Sequence, residues 1–432
     1  MTTPKVGPDT IIPERAPSLW VPLRFFLGGL FALAVLLVVA YQKAPLLAAD
    51  YLHNPATLAV THLFTLGLGG MVVMGALYQM VPVLLYSTLF SERLANVHLA
   101  VHATGLVLMV TGFLKFATLW TATGGGLVLT GAILFVINLG MTFRRAERWN
   151  WHGAFMPVAV LFYLSTLIWG FVLALNQRYG FLGEVEGAPL TGHLTLGFLG
   201  WFSLMIVSAG LKLVPMFAPA KSLPPRLVAA TGGGPAAGVV AILAGLWLGR
   251  PLLWAGAVLA VAALLSYAGL ISYAYLHRRT GPLDFSVRFS LTAAYFMMPA
   301  VLGLPWAPRE WQAGLTFLFA LGFVGGTILG MLLRIIPFMV WLHRFRNRTH
   351  KLEKIPFLHE LFQPRYGWIA MLTWFPAVVL FSLGVALVQG FLITVGAIVA
   401  MIGLAAYAWA LRQVLHHVKP GTPALFPGPS RK

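Results

Sequence analysis

The sequence contains no cysteine. Disulfides, thiolate metal sites, iron–sulfur clusters and covalently attached c-type haem are therefore excluded, because each of them needs a cysteine sulfur. Any bound metal ion must be held by histidine, methionine, tyrosine or carboxylate side chains.

Acidic residues are almost as scarce, since only 11 of the 432 residues are Asp or Glu. Every one of them lies in a predicted loop or at a predicted helix end. Ion-coupled transporters and proton pumps usually keep a carboxylate inside the membrane, so its absence argues against the commonest transport mechanisms. No paired carboxylates, Ser/His/Asp set, HExxH, P-loop or dinucleotide-binding glycine motif indicates a hydrolase or a nucleotide-binding enzyme.

Charge of either sign is low: 9% of the residues are charged, 59% are hydrophobic and the mean hydropathy is +0.85. A soluble protein carries roughly a quarter charged residues, so this composition indicates a membrane protein. Apolar runs long enough to cross ~30 Å of hydrocarbon recur along the chain. They predict an all-α, polytopic integral membrane protein with about 12 transmembrane helices, at residues 20–42, 57–84, 96–117, 123–143, 153–175, 191–216, 226–248, 252–276, 285–305, 312–340, 367–388 and 390–413.

The chain is predicted to form one transmembrane domain over residues 20–415, between cytoplasmic tails at 1–19 and 416–432. Residues 1–19 are polar and contain proline, and the first apolar run is long enough to span, so no cleavable signal peptide is expected.

The net charge of +18 is distributed unevenly between the two sets of loops. Loops on one predicted side carry the basic residues, among them Arg144, Arg145, Arg148, Lys221 and the run 343–354. Loops on the other side carry Asp50, Glu184, Glu186 and Glu310. This positive-inside pattern predicts a protein of the cell membrane with both termini in the cytoplasm. The basic residues form separate juxtamembrane groups, so the predicted partner is the lipid bilayer and not a nucleic acid.

Three apolar stretches resemble one another over 23 residues without a gap. They read "HLFTLGLGGMVVMGALYQMVPVL" from His62, "TLGFLGWFSLMIVSAGLKLVPMF" from Thr195 and "FLFALGFVGGTILGMLLRIIPFM" from Phe317. Four columns hold the same kind of residue in all three: Gly67, Gly200 and Gly322; Gly70, Ser203 and Gly325; Gly75, Ser208 and Gly330; and Pro82, Pro215 and Pro337. Small residues let helices approach closely in lipid. Because these are the second, sixth and tenth spans, we predict three pseudo-repeated four-helix units.

Two histidines, His62 and His193, lie one to two turns inside the predicted outer ends of the second and sixth spans. A buried neutral imidazole needs a partner for each ring nitrogen, and a haem iron with a hydrogen-bond acceptor would supply both. A hydrogen bond to a neighbouring helix is the alternative for each. In the alignment His193 stands two positions before the column of His62, which rotates a helix by roughly 200° and argues against strict equivalence.

A further pair, His98 and His102, is spaced four residues apart on one face of the third span. This spacing occurs in metal sites. Because the pair is predicted near the inner surface and no third ligand stands nearby, packing or hydrogen bonding is favoured over a metal.

The pattern resembles subunit I of haem–copper oxidases and nitric oxide reductases, and also the NnrS-type membrane proteins. The resemblance rests on the twelve helices in three units, on "H-L-x-x-L-G-x-x-G" from His62, and on the segment from Gly192 to Pro215. It implies a haem–copper oxidase subunit I-like fold, with His62 as a ligand of haem b and His193 as a ligand of copper.

The sequence departs from that family at several metal ligands. Residues 311–341 lack the tenth-helix His-x-His pair, residues 226–249 lack the adjacent seventh-helix histidines, and no buried acid is present to feed protons. We therefore expect a haem-binding protein of respiratory electron transfer or of nitric oxide and haem–copper handling, and not an oxygen reductase. Its expected partners are respiratory or denitrification membrane complexes. A cofactor-free transporter or channel, and an assembly or structural subunit of a respiratory complex, are the alternatives.

Overall fold

The computed structural model describes residues 15–49, 54–183, 185, 187–218, 220, 223–279, 285–345 and 358–418. Of the residues that carry the predicted orientation, Asp50, Glu184, Glu186, Lys221 and residues 346–354 lie outside these ranges, as do most of the two predicted tails. Over the described ranges the chain is helical and contains no strand.

Twelve helices in the described part of the chain are long and apolar enough to cross a membrane, which confirms the predicted polytopic all-α class. We number them α1 to α12. Their bounds are Trp20–Gln42, Pro55–Leu84, Glu92–Leu114, Thr118–Arg144, Trp151–Tyr179, Ala188–Phe217, Pro225–Leu248, Arg250–Leu276, Phe285–Gly303, Glu310–Phe345, Pro364–Ala386 and Gly390–His416.

Most helices extend a few residues beyond their predicted bounds at one end or both. The third span was predicted from residue 96, but α3 begins at Glu92 because the Ser91 side chain caps it by accepting a hydrogen bond from the Leu94 amide. The tenth span was predicted over 312–340, but α10 runs from Glu310 to Phe345. The glycine-rich stretch "TGGGPAAG" is helical within α7.

The three repeated helices share a backbone irregularity that their sequences did not predict. Each contains a π-helical segment, at Leu63–Met71 in α2, Thr195–Ser203 in α6 and Leu318–Gly325 in α10. The three segments begin within one residue of the same alignment column. A π-helical segment is rare and widens the helix locally, so its recurrence supports the three-unit organisation.

Each repeated helix also packs on the helix before it through the same small residue. A Cβ added to Gly67 would lie 2.5 Å from Cβ of Ala32 on α1. A Cβ added to Gly200 would lie 2.9 Å from Cβ of Phe162 on α5, and one added to Gly322 would lie 3.1 Å from Cβ of Phe296 on α9. These contacts are equivalent in the three units because the glycines leave room for close helix approach.

The repeated helices α2, α6 and α10 also meet one another at the centre of the bundle. A Cβ on Gly69 would lie 2.7 Å from the ring of Phe202 on α6, and one on Gly325 would lie 3.2 Å from the ring of Phe64 on α2. Apolar side chains of all three helices surround two separate small cavities here, of about 80 and 30 Å³. A further cavity, of about 240 Å³, lies between α2, α3, α4, α5 and α6.

Candidate functional site

His62 lies about two turns from the start of α2, where Asn54 caps the helix ahead of Pro55. Its Nδ1 atom is 2.7 Å from the carbonyl oxygen of Leu58. A carbonyl only accepts hydrogen bonds, so Nδ1 carries the ring proton and Nε2 keeps the lone pair. This is the arrangement in which a histidine is held ready to bind a metal through its second nitrogen.

His193 lies near the start of α6, with its ring against α5. A Cβ added to Gly170 would be 2.8 Å from its Cε1 atom. The ring hydrogen-bonds the backbone of Thr166, and its Nδ1 atom is buried without a hydrogen-bond partner. Because Nε2 is the nitrogen left to donate to that backbone, Nδ1 keeps the lone pair.

Both histidines line a single cavity of about 240 Å³ enclosed by α2, α3, α4, α5 and α6. Its walls are mainly aromatic and aliphatic, and Tyr163 and Trp201 stack at its side with ring centroids 4.6 Å apart. Asn176 supplies a polar side chain where α5 ends on the predicted outer side. Of the described residues that line the cavity, none is acidic and none is a lysine or arginine.

His62 and His193 stand two positions apart in the alignment, which argued against their equivalence. The structure nevertheless places both side chains at one cavity, with His62 on α2 and His193 on α6. The two histidines therefore share a site without being equivalent positions of the repeat.

His98 and His102 lie on α3, away from this cavity. Both side chains are 0% exposed, because they face neighbouring helices. Tyr78 on α2 hydrogen-bonds Nδ1 of His98 at 3.0 Å, and Nε2 of His102 is 3.0 Å from the carbonyl oxygen of Leu66. The pair therefore belongs to a hydrogen-bonded cluster.

Within the described ranges no three His, Asp or Glu side chains come close enough to hold a metal ion. The pair His62 and His193 can supply one or two axial ligands, which is what a haem iron needs from a protein. Copper sites are usually built from more protein ligands, and the described residues do not assemble such a set.

Several residues of the cavity carried no signal in the sequence. Gly170 and Tyr163 belong to no motif, and both are separated from His62 by a hundred residues or more. Only the packing of α5 and α6 against α2 brings them to the histidines.

No family model matches the chain, and no curated protein is significantly similar to it.

Proposed function

We propose that this protein binds haem b in the cavity between α2 and α6, with Nε2 of His62 as the leading ligand and His193 as the second candidate. The observation that carries the proposal is that both histidines line one cavity in the membrane-spanning region while each uses one ring nitrogen in a hydrogen bond to backbone. Such bonds set the tautomer that a metal ligand requires.

The walls of the cavity suit a flat apolar macrocycle. Phe113 lies beside His62 with ring centroids 5.1 Å apart, and Phe198, Trp201 and Phe202 contribute further aromatic surface. Asn176, Gln177 and Thr57 lie at the predicted outer end, where polar groups are available to the carboxylates of a haem. Aromatic walls with a few polar groups at one end are the usual features of a cofactor pocket.

The chain itself has three tasks at this site. Leu58 holds the ring of His62 in one tautomer, and Gly170 leaves the space in which the ring of His193 rests. The apolar wall excludes water, which strengthens electrostatic interactions inside the cavity. Haem, when bound, supplies one-electron redox chemistry and a site for a diatomic gas.

The wider role we propose is respiratory electron transfer, or the handling of nitric oxide or of haem and copper for enzymes that use them. It is supported by the resemblance of the His62 segment to the second helix of the oxidase and NnrS-type families. The same resemblance supports a haem–copper oxidase subunit I-like fold and a place among respiratory or denitrification membrane complexes. The loop charges support the cell membrane, with both termini in the cytoplasm.

The experiment is an absorption spectrum of the protein purified after expression with ample haem supply. We expect a Soret band that is strongly reduced in His62→Ala. His193→Ala is expected to keep haem but to change its spectrum from a six-coordinate to a five-coordinate form.

The matched control is His277→Ala, because His277 caps the end of α8 outside the cavity and its ring stacks on Tyr273. This variant should bind haem as the unmodified protein does. A colourless preparation, or a Soret band unchanged by both His62→Ala and His193→Ala, would refute the proposal.

A further inference from the structure

The cavity of about 80 Å³ at the centre of the bundle, here called the axial cavity, is built by the repeat. Its described lining residues all belong to α2, α6 and α10, and the three helices contribute the same five alignment columns. On α2 these columns hold Val72, Val73, Ala76, Leu77 and Met80. The cavity therefore lies on the pseudo-threefold axis and belongs to the fold, since no single side chain accounts for it.

Small residues on α6 keep the axial cavity open. The columns of Ala76 and Leu77 hold Ala209 and Gly210 on that helix. A Cβ added to Gly210 would collide with the hydroxyl of Tyr267 on α8, so this position has no room for a larger residue. Protein interiors are otherwise packed as densely as organic crystals, and the walls of a void lose the contacts that a neighbour would supply. A molecule bound in the cavity would restore those contacts.

The wall of the axial cavity offers almost no hydrogen bonds to water. Thr327 is the one polar side chain among its described lining residues, and the hydroxyl oxygen of Thr327 is itself buried. The backbone of the lining residues is helical, so its polar groups pair within each helix. A buried water needs about two to four polar partners. The cavity is therefore expected to stay dry.

The size of the axial cavity limits what can replace water there. An apolar protein cavity of about 150 Å³ stays dry and binds benzene or xenon. A cavity of about 80 Å³ is smaller and suits a molecule of only a few atoms. Dissolved gases are the molecules of this size that enter a bilayer readily, because they have little surface that water can hydrogen-bond.

A second cavity on the same axis lies close to the histidines. It has a volume of about 30 Å³ and lies between α2, α6 and α10 nearer to their predicted outer ends. Thr61, Leu194 and Phe198 line both this cavity and the His62–His193 cavity. One layer of side chains therefore separates the axis from the histidines.

We propose that the axial cavity is a binding site for one small, uncharged, apolar molecule of the class of dissolved gases. The proposal goes beyond the haem site and does not require it, since the axial cavity shares no lining residue with the His62–His193 cavity among the residues that the structure describes.

The probe for this site is xenon, which is apolar and scatters X-rays anomalously. Crystals of the full chain, pressurised with xenon, should show an anomalous peak between α2, α6 and α10 at the level of Ala76 and Ala209. Ala209→Leu should lose this peak, because the added side chain fills the cavity. The matched control is Ala255→Leu at an exposed position of α8, which should keep the peak.

Absence of a xenon peak in the axial cavity of the unmodified protein would overturn the proposal. Ordered water in the cavity, or the continuous density of a lipid chain, would overturn it as well. Should Ala209→Leu fail to fold, Ala76→Leu fills the same cavity from α2, and a peak that persists in the folded variant would contradict the assignment. A colourless protein that binds xenon on the axis would refute the haem proposal and support this one.

Discussion

Gly170 on α5 supports the ring of His193 on α6, because a Cβ at position 170 would lie 2.8 Å from Cε1 and 3.5 Å from Nδ1 of that histidine. Any side chain larger than glycine must therefore push the imidazole away from α5. The position of His193 in the cavity depends on this one small residue.

The first prediction is that Gly170→Ala displaces the His193 ring. Overpacking of this kind costs about 1–3 kcal/mol in stability. We expect a lower thermal unfolding temperature and a shift of the haem spectrum towards that of His193→Ala. Gly140→Ala is the control, since a Cβ on Gly140 meets no atom within 4 Å. Equal spectra for Gly170→Ala and Gly140→Ala would contradict the prediction.

The second prediction concerns the repeated glycines. Gly67→Leu, Gly200→Leu and Gly322→Leu should each separate a repeated helix from the helix before it, because the space beside each glycine is already filled by Ala32, Phe162 or Phe296. We expect each variant to lose at least about 1–3 kcal/mol, measured as loss of monodisperse protein after heating in detergent. Gly140→Leu should behave almost as the unmodified protein. The three-unit packing would be in doubt if the three variants matched that control.

The third prediction concerns a hydrogen bond to the π-helical segment of α10. Nε1 of Trp374 on α11 donates to the Leu321 carbonyl at 3.1 Å. Trp374→Phe keeps much of the apolar volume and removes the donor, so we expect a loss of about 1 kcal/mol from the missing bond, with some packing loss added. Trp120→Phe, at a residue 49% exposed, is the control and should have little effect on thermal stability. A Trp374→Phe protein as stable as the control would show that the bond contributes nothing.

The fourth prediction is a pH dependence that arises just beyond the end of α12. Burial, with the nearby His416 and Arg344, lowers the pKa of His417 below its ordinary value of 6.5, against a hydrogen bond to the Leu361 backbone that raises it. Below pH 6.5 the unfolded chain therefore binds more protons at this position than the folded one, and stability falls as the pH drops.

We expect His417→Gln to reduce this fall in thermal stability between pH 7 and pH 5. His343→Gln, at an exposed histidine near the end of α10, should keep the slope of the unmodified protein. If thermal stability fell equally with pH in both variants, the pH dependence would have to arise from groups other than His417.

The repeat illustrates how far sequence reasoning reaches. The alignment columns that contain Gly67 and Pro82 identify the three related helices. The small residues recur because they let helices approach closely in lipid. The same columns do not reveal the π-helical segments. Those depend on the hydrogen bonds and neighbouring helices that each backbone meets once it is packed.

The histidines show what could not be predicted from the sequence. His62 could be singled out from sequence, since an imidazole among apolar residues is expensive in a membrane. Its relation to His193 could not, because a linear alignment counts a two-residue offset as a mismatch. Only the packing of α2 and α6 around one cavity places both histidines at the same site.

By itself the sequence determined that this chain is a membrane protein with twelve candidate spans. The hydropathy and length of each span can be read from its own residues, without knowing which other helices it contacts. The spacing of small residues in the sequence also predicted three related helices, which share a π-helical segment in the structure. The tertiary structure alone decided that His62 and His193 share a cavity, and that His98 and His102 are buried against α2, where they hydrogen-bond Tyr78 and the Leu66 carbonyl respectively. Those outcomes depend on contacts between helices, which hydropathy along the chain does not reveal.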